Sequence, residues 1–82
     1  MYEILFTDKA KKELKKLEHD LQKRILEALG RIRIRPESFV TKLVGESVYK
    51  FRVGDYRVLM DIDQGKLIIL VLQIGHRKSI YK

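Results

Sequence analysis

VYKFRVGDYRVLMDI, residues 48–62, decides how this chain folds. Apolar residues alternate with others on both sides of Gly54-Asp55, and glycine in the first central position suits a two-residue type II′ turn. A hairpin closed there sets Val53 opposite Tyr56 and Arg52 opposite Arg57. One face of the ribbon then carries Tyr49, Phe51, Val53, Tyr56, Val58, Met60 and Ile62. The other carries Lys50, Arg52, Arg57, Leu59 and Asp61. Like charges opposed across a sheet repel, so stability alone gives no reason to keep Arg52 facing Arg57. A cationic face that grips phosphate does.

C-terminal to the hairpin, Leu67–Ile74 is almost continuously apolar, which predicts a central strand covered on both faces. Asp63-Gln64-Gly65 fits a three-residue loop with glycine in the left-handed position. That register turns Ile68, Leu70, Leu72 and Ile74 toward the helices. On the N-terminal side, Tyr2–Phe6 alternates weakly and suits a first strand. Thr7 or Asp8 caps a helix in which Ala10, Leu14, Leu17 and Leu21 recur at helical spacing. His19-Asp20 breaks that pattern, and Asp20 is the expected cap of a second helix. Its buried stripe is Leu21, Ile25, Leu29 and Ile32, and Pro36 ends it by about Arg35. Gly30 costs this helix about 1 kcal/mol relative to alanine, for which close packing is the reading available. Residues 36–47 connect to the hairpin, with Phe39 and Leu43 expected to be pinned to the core. The order is β-α-α-β-β-β. It predicts an α+β fold in which a helical hairpin packs on a mostly antiparallel four-stranded sheet with an open basic face.

Eighty-two residues, 45% hydrophobic and 35% charged, fit one globular domain. No apolar run approaches the roughly 18 residues needed to span a membrane. The first residues lack a basic-then-apolar leader, so a secretory signal is not expected. Cysteine is absent, which excludes disulfides and thiolate metal sites and suits a reducing cytoplasm. His19 and His76 are too far apart in sequence to form a zinc-binding pair, and no metal or other cofactor is expected. A net charge of +7 points to a polyanionic partner, nucleic acid before lipid.

The sequence has no GxSxG elbow, no cysteine nucleophile and no GxxxxGK loop. What remains is a concentration of Lys50, Arg52, Arg57, His76, Arg77 and Tyr81. Such a set suits metal-free RNA cleavage, in which a ribose 2′-OH attacks its own 3′ phosphate. That reaction needs a proton acceptor, a donor to the departing 5′ oxygen and positive charge on the phosphorane. Lysine among arginines is the better proton-transfer group, which selects Lys50. Arg57 and Arg77 suit charge stabilisation, and Tyr81 suits stacking on a base. His76 either caps the strand end or flanks the site as an auxiliary group. Lys9, Lys12 and Lys16 lie on the polar face of the first helix, where they are either solvated or track a phosphate backbone. Each cation also has an ordinary reading as a solvated surface residue.

YKFRVGDYRVLMDI, the apolar LIILVLQIGHR and a tyrosine shortly after it together resemble the RelE/ParE superfamily of toxin–antitoxin toxins. The resemblance spans nearly the whole chain. The RelE branch cleaves mRNA in the ribosomal A site by the 2′-OH route. Carried over to this sequence, Lys50 and Arg52 match its pair of basic residues on the second strand and Arg57 its third-strand arginine. Arg77 matches the arginine after the fourth strand, and Tyr81 the terminal tyrosine. Arg52 stands where well-known members carry a second lysine, which throws more of the proton transfer onto Lys50. A short C-terminal helix found in some members has no counterpart before Lys82. The resemblance also implies a cognate RelB-like antitoxin, assembly as a toxin–antitoxin hetero-oligomer, and a ribosome with its mRNA as target. Two rival readings are a ParE-like DNA gyrase inhibitor and a non-catalytic basic nucleic-acid-binding module.

Overall fold

The computed structural model describes residues 1–45 and 47–76. In chain order the elements are β1 (Glu3–Phe6), α1 (Asp8–Lys15), α2 (His19–Ile32), a 3-10 turn (Pro36–Ser38), β2 (Thr41–Lys42), β3 (Tyr49–Val53), β4 (Tyr56–Asp63) and β5 (Ile68–His76). The five strands form one sheet in the order β1-β5-β4-β3-β2, with β1 parallel to β5 and every other pairing antiparallel. The four-stranded expectation missed β2. This two-residue strand, set in what reads as loop, pairs with Tyr49 and Lys50 at the sheet edge.

The central hairpin follows its sequence pattern. Arg52 pairs with Arg57 and Val53 with Tyr56, and Gly54 takes φ +59° at the first turn position, as a II′ turn requires. Phe51, Val53, Val58 and Met60 are buried beneath the helices. From α2, the side chains of Ile25, Leu29 and Ile32 enter the same core, and Ala10 enters it from α1. Burying large aliphatic side chains contributes roughly 1.5–3 kcal/mol each, so this shared layer holds helices to sheet.

β5 departs from the expected register, for two local reasons. Its loop is Gln64–Leu67, and the left-handed residue is Leu67 at φ 56°, not Gly65. Asp63 therefore pairs with Ile68, and Ile69 and Val71, not Ile68 and Leu70, are fully buried. A bulge follows: Met60 pairs with Val71 but Leu59 with Gln73, leaving Leu72 as the extra residue. One inserted residue reverses the parity of what comes after it, and Ile74 returns to the core at 3% exposure.

Helix α1 secures the bulged segment. β1 ends at Phe6, so the β5 edge beyond it needs other partners. The Thr7 amide donates to the Val71 carbonyl at 3.0 Å, and the Thr7 hydroxyl donates to the Leu72 carbonyl at 3.1 Å. Glu13 Oε1 accepts the Ile74 amide at 2.8 Å. Thr7 is also the N-cap of α1, accepting from the Ala10 amide at 3.1 Å. Glu18, not Asp20, occupies the N-cap of α2, and Asp20 falls within its first turn. Between the helices, Gln22 Nε2 donates to the Leu17 carbonyl at 2.8 Å, satisfying a group that the end of α1 leaves open.

Two residues expected in tight packing are elsewhere. Phe39 is 55% exposed, while Leu43 is half-buried. A Cβ on Gly30 would meet nothing within 4 Å. The position is exposed and lines an open cleft of about 300 Å³ between α2 and β1. Close packing therefore does not account for this glycine. Gly30→Ala should raise stability by about 0.5–1 kcal/mol, because it removes backbone freedom from the unfolded chain at a helical site with room. A urea titration with unchanged slope and a higher midpoint is the expected result; a lower midpoint would mean that the open space is needed.

Candidate nucleic-acid interface

The sheet face away from the helices is built by β3, β4 and β5, with the β1 edge beside them. Strand pairing places its residues in rows. Nearest the hairpin turn is Arg52–Arg57–Gly75, followed by Lys50–Leu59–Gln73. Beyond these come Leu5–Leu70–Asp61 and Glu3–Ile68–Asp63. The face is therefore divided: cations at the hairpin end, acidic groups at the other, and aliphatic side chains between them. Alternation in the hairpin alone located the cations. The same alternation puts Asp61 on this face, whereas Glu3 joins the acidic end only through β1 pairing with β5, across more than sixty residues of chain.

Lys50 and Arg57 are half-buried, and Arg52 is exposed. Lys50 is diagonal to Arg57 across the β3–β4 pair, at the roughly 7–8 Å separation of such neighbours, within reach of long side chains. Arg57 belongs to a strand hydrogen-bonded on both sides, and Gly75 adds no side chain to its row. Arg52 is nearer the edge, where its Nε donates to the Gly54 carbonyl at 3.0 Å. That bond draws its guanidinium toward the turn. Two cations on rigid central strands, with a third at the margin, form a fixed positive surface for an anionic oxygen.

His76 pairs with Tyr56, whose strand position is on the helix-facing side, and the two rings meet edge to face with centroids 5.5 Å apart. The register thus groups His76 with Tyr56, not with Lys50 and Arg57. Lys9, Lys12 and Lys16 are exposed on α1, an element packed on the opposite side of the sheet. Arg77 and Tyr81 lie outside the described residues. Among the described residues, no three His, Asp or Glu side chains gather as a metal site would require, and no helix is long and apolar enough to cross a membrane.

A helical hairpin on a five-stranded, mostly antiparallel sheet is also the fold of the toxins in solved RelBE toxin–antitoxin complexes. Superposition on the RelBE2 complex of Mycobacterium tuberculosis gives a TM-score of 0.85 at 29% identity, covering 93% of this chain and 98% of that one. The archaeal RelE–RelB complex of Pyrococcus horikoshii OT3 gives 0.80 at 28% identity, covering 95% and 97%. The intact Escherichia coli RelBE complex gives 0.80 at 25%, covering 93% and 96%. By sequence, residues 4–81 match the ParE toxin of the type II toxin–antitoxin system parDE, and the chain belongs to this family within the RelE/ParE superfamily. No curated protein matches it significantly by sequence.

Proposed function

We propose that this protein is a RelE-type toxin that cuts mRNA on the ribosome, and that a RelB-like antitoxin neutralises it by binding as a hetero-oligomer. Similar chains are RelE toxins held in complexes with RelB, and a +7 surface suits an acidic partner. The observation that carries the nuclease reading is the half-buried pair Lys50 and Arg57, diagonal to each other on the open face. In the proposed reaction, the ribose 2′ oxygen attacks the adjacent phosphorus and the bond to the 5′ oxygen breaks. A 2′,3′-cyclic phosphate and a free 5′-hydroxyl result. One proton leaves the 2′-OH and one reaches the 5′ oxygen. Lys50 takes part in that transfer, and Arg57 neutralises the phosphorane. Arg77 and Tyr81 are assigned to charge stabilisation and base stacking by resemblance, with Arg52 at the margin and His76 at most auxiliary. The reaction calls for no metal or cofactor and takes place where ribosomes translate, in the cytoplasm.

The ParE family match supports a second reading, inhibition of DNA gyrase. Expression without antitoxin separates the two. Translation should stop before DNA synthesis, and primer extension on a translated message should show cuts within codons, in frame with the ribosome. Early arrest of DNA synthesis with gyrase trapped on cleaved DNA would establish the ParE reading instead.

A further inference from the structure

On the other side of the β3 edge from Lys50 lies a cleft of about 370 Å³, near the lower limit for sites that hold one small ligand. Its floor is apolar, made by the buried side chains of Ile32, Phe51 and Val53. Around the rim stand Arg24, Arg31, Arg52 and Phe39, and among the described residues no carboxylate lines it. Arg24, Ala28 and Arg31 are spaced four and three apart along α2, so they share one helix face. The small Ala28 between the arginines gives the cleft its depth. Two guanidinium groups converge on the hairpin turn: Arg52 bonds the Gly54 carbonyl, and Arg24 Nη1 lies 3.9 Å from where a Cβ on Gly54 would sit.

Packing does not require this grouping. Cations gathered without a lining carboxylate repel one another, and a phenylalanine left 55% exposed forgoes burial it would otherwise gain. The residue types are also selective. The exposed cations of α1 and its C-cap are all lysine, at 9, 11, 12, 15 and 16, whereas the cations of the cleft are all arginine. Arginine is the cation that stacks on planar groups and binds phosphate through two parallel hydrogen bonds. An acidic peptide would use the charge alone, while a nucleotide uses both the charge and the exposed ring.

The geometry points to a second RNA subsite: the cleft holds one nucleotide of a single strand, its base against Phe39 and its phosphates on Arg24, Arg31 and Arg52. The inference rests on the reading of the open face as an RNA site. Arg52 connects the two, since it lines the cleft and shares a sheet row with Arg57. β2 covers β3 only at Tyr49 and Lys50, so a strand leaving the open face can cross the edge at Phe51–Gly54 and enter the cleft.

The test is equilibrium binding of a fluorescein-labelled single-stranded RNA of about ten nucleotides, within the span such sites cover, to the full chain freed of antitoxin. Phe39→Ala should weaken binding about ten-fold, within the range for losing one base–aromatic stack, and Phe39→Tyr should restore it. The double variant Arg24→Ala/Arg31→Ala should reduce the slope of log affinity against log salt by about 1.4, the amount expected for two lost phosphate contacts on a single strand. Circular dichroism should show the parental fold for each variant, because all three side chains are exposed. Parental affinity and slope in these variants would overturn the subsite, as would failure of the unaltered chain to bind the RNA. So would parental RNA affinity combined with loss of antitoxin binding, which would make the cleft a protein-docking surface. If RNA binds through Phe39 but no message is cut, the subsite stands and the nuclease reading falls. If messages are cut and the cleft variants bind and cut like the parent, the reverse holds.

Discussion

Arg57→Ala should slow cleavage on programmed ribosomes by about 10²- to 10³-fold, the usual loss when one preorganised charge is withdrawn from a transition state. The magnitude follows from the strand that carries it. At Arg57, β4 is paired with β3 on one side, through Arg52, and with β5 on the other, through Gly75, so the Arg57 backbone is held before substrate arrives and needs no reordering during the reaction. Arg52 is placed differently. Its side chain is exposed and its Nε already donates to the turn carbonyl of Gly54. Arg52→Lys should therefore change the rate by only a few-fold, a much smaller effect than loss of Arg57. Removing Arg57 should also leave the fold intact, since the substitution relieves a direct cross-strand repulsion. Single-turnover rates and a thermal melt of the same preparation decide the matter. A rate within a few-fold of the parent would move the charge-stabilising role elsewhere, and a melting point lower by many degrees would make Arg57 a structural residue.

The parts of this molecule readable from sequence were those governed by short-range rules. The 48–62 hairpin has its register set by a two-residue turn, and every facing pair it predicted is present, Arg52 against Arg57 included. The stripe Ile25, Leu29, Ile32 is likewise buried as helical spacing requires. The misreadings arose where long-range contacts overrode local signals. Gly65 marks its loop as a turn, but the left-handed conformation falls on Leu67, because the Asp63–Ile68 pairing sets the loop length. The Leu72 bulge leaves no trace in an unbroken apolar run, since either parity of LIILVL presents aliphatic side chains to the core. Its partners, Thr7 and Glu13, lie more than sixty residues away. In the candidate site, Lys50, Arg52 and Arg57 were readable because they stand on the hairpin itself. The Arg24–Arg31–Phe39 cleft was not, because it forms only when α2 is laid over the β3 edge.

Lys50→Arg should abolish most of the cleavage rate while leaving ribosome binding near the parental level. Both side chains carry a positive charge and both can contact phosphate, so binding that depends on charge alone survives the exchange. Proton transfer does not survive it, since an arginine keeps its proton at neutral pH. The position favours this role: Lys50 is half-buried on β3, held between the Thr41 and Leu59 pairings and diagonal to Arg57, so a phosphate gripped by Arg57 brings the adjoining ribose within its reach. Arg52 stands one alternation further toward the turn, on the same face and nearer the edge, so no lysine occupies the neighbouring position on β3. The measurement is the single-turnover rate at saturating toxin, which removes binding defects from the comparison. A loss of about 10²-fold or more at unchanged affinity assigns proton transfer to Lys50, in line with the usual worth of a positioned acid or base. A parental rate would reduce Lys50 to an electrostatic contact and hand the proton to another group, with His76 the first to test by His76→Gln.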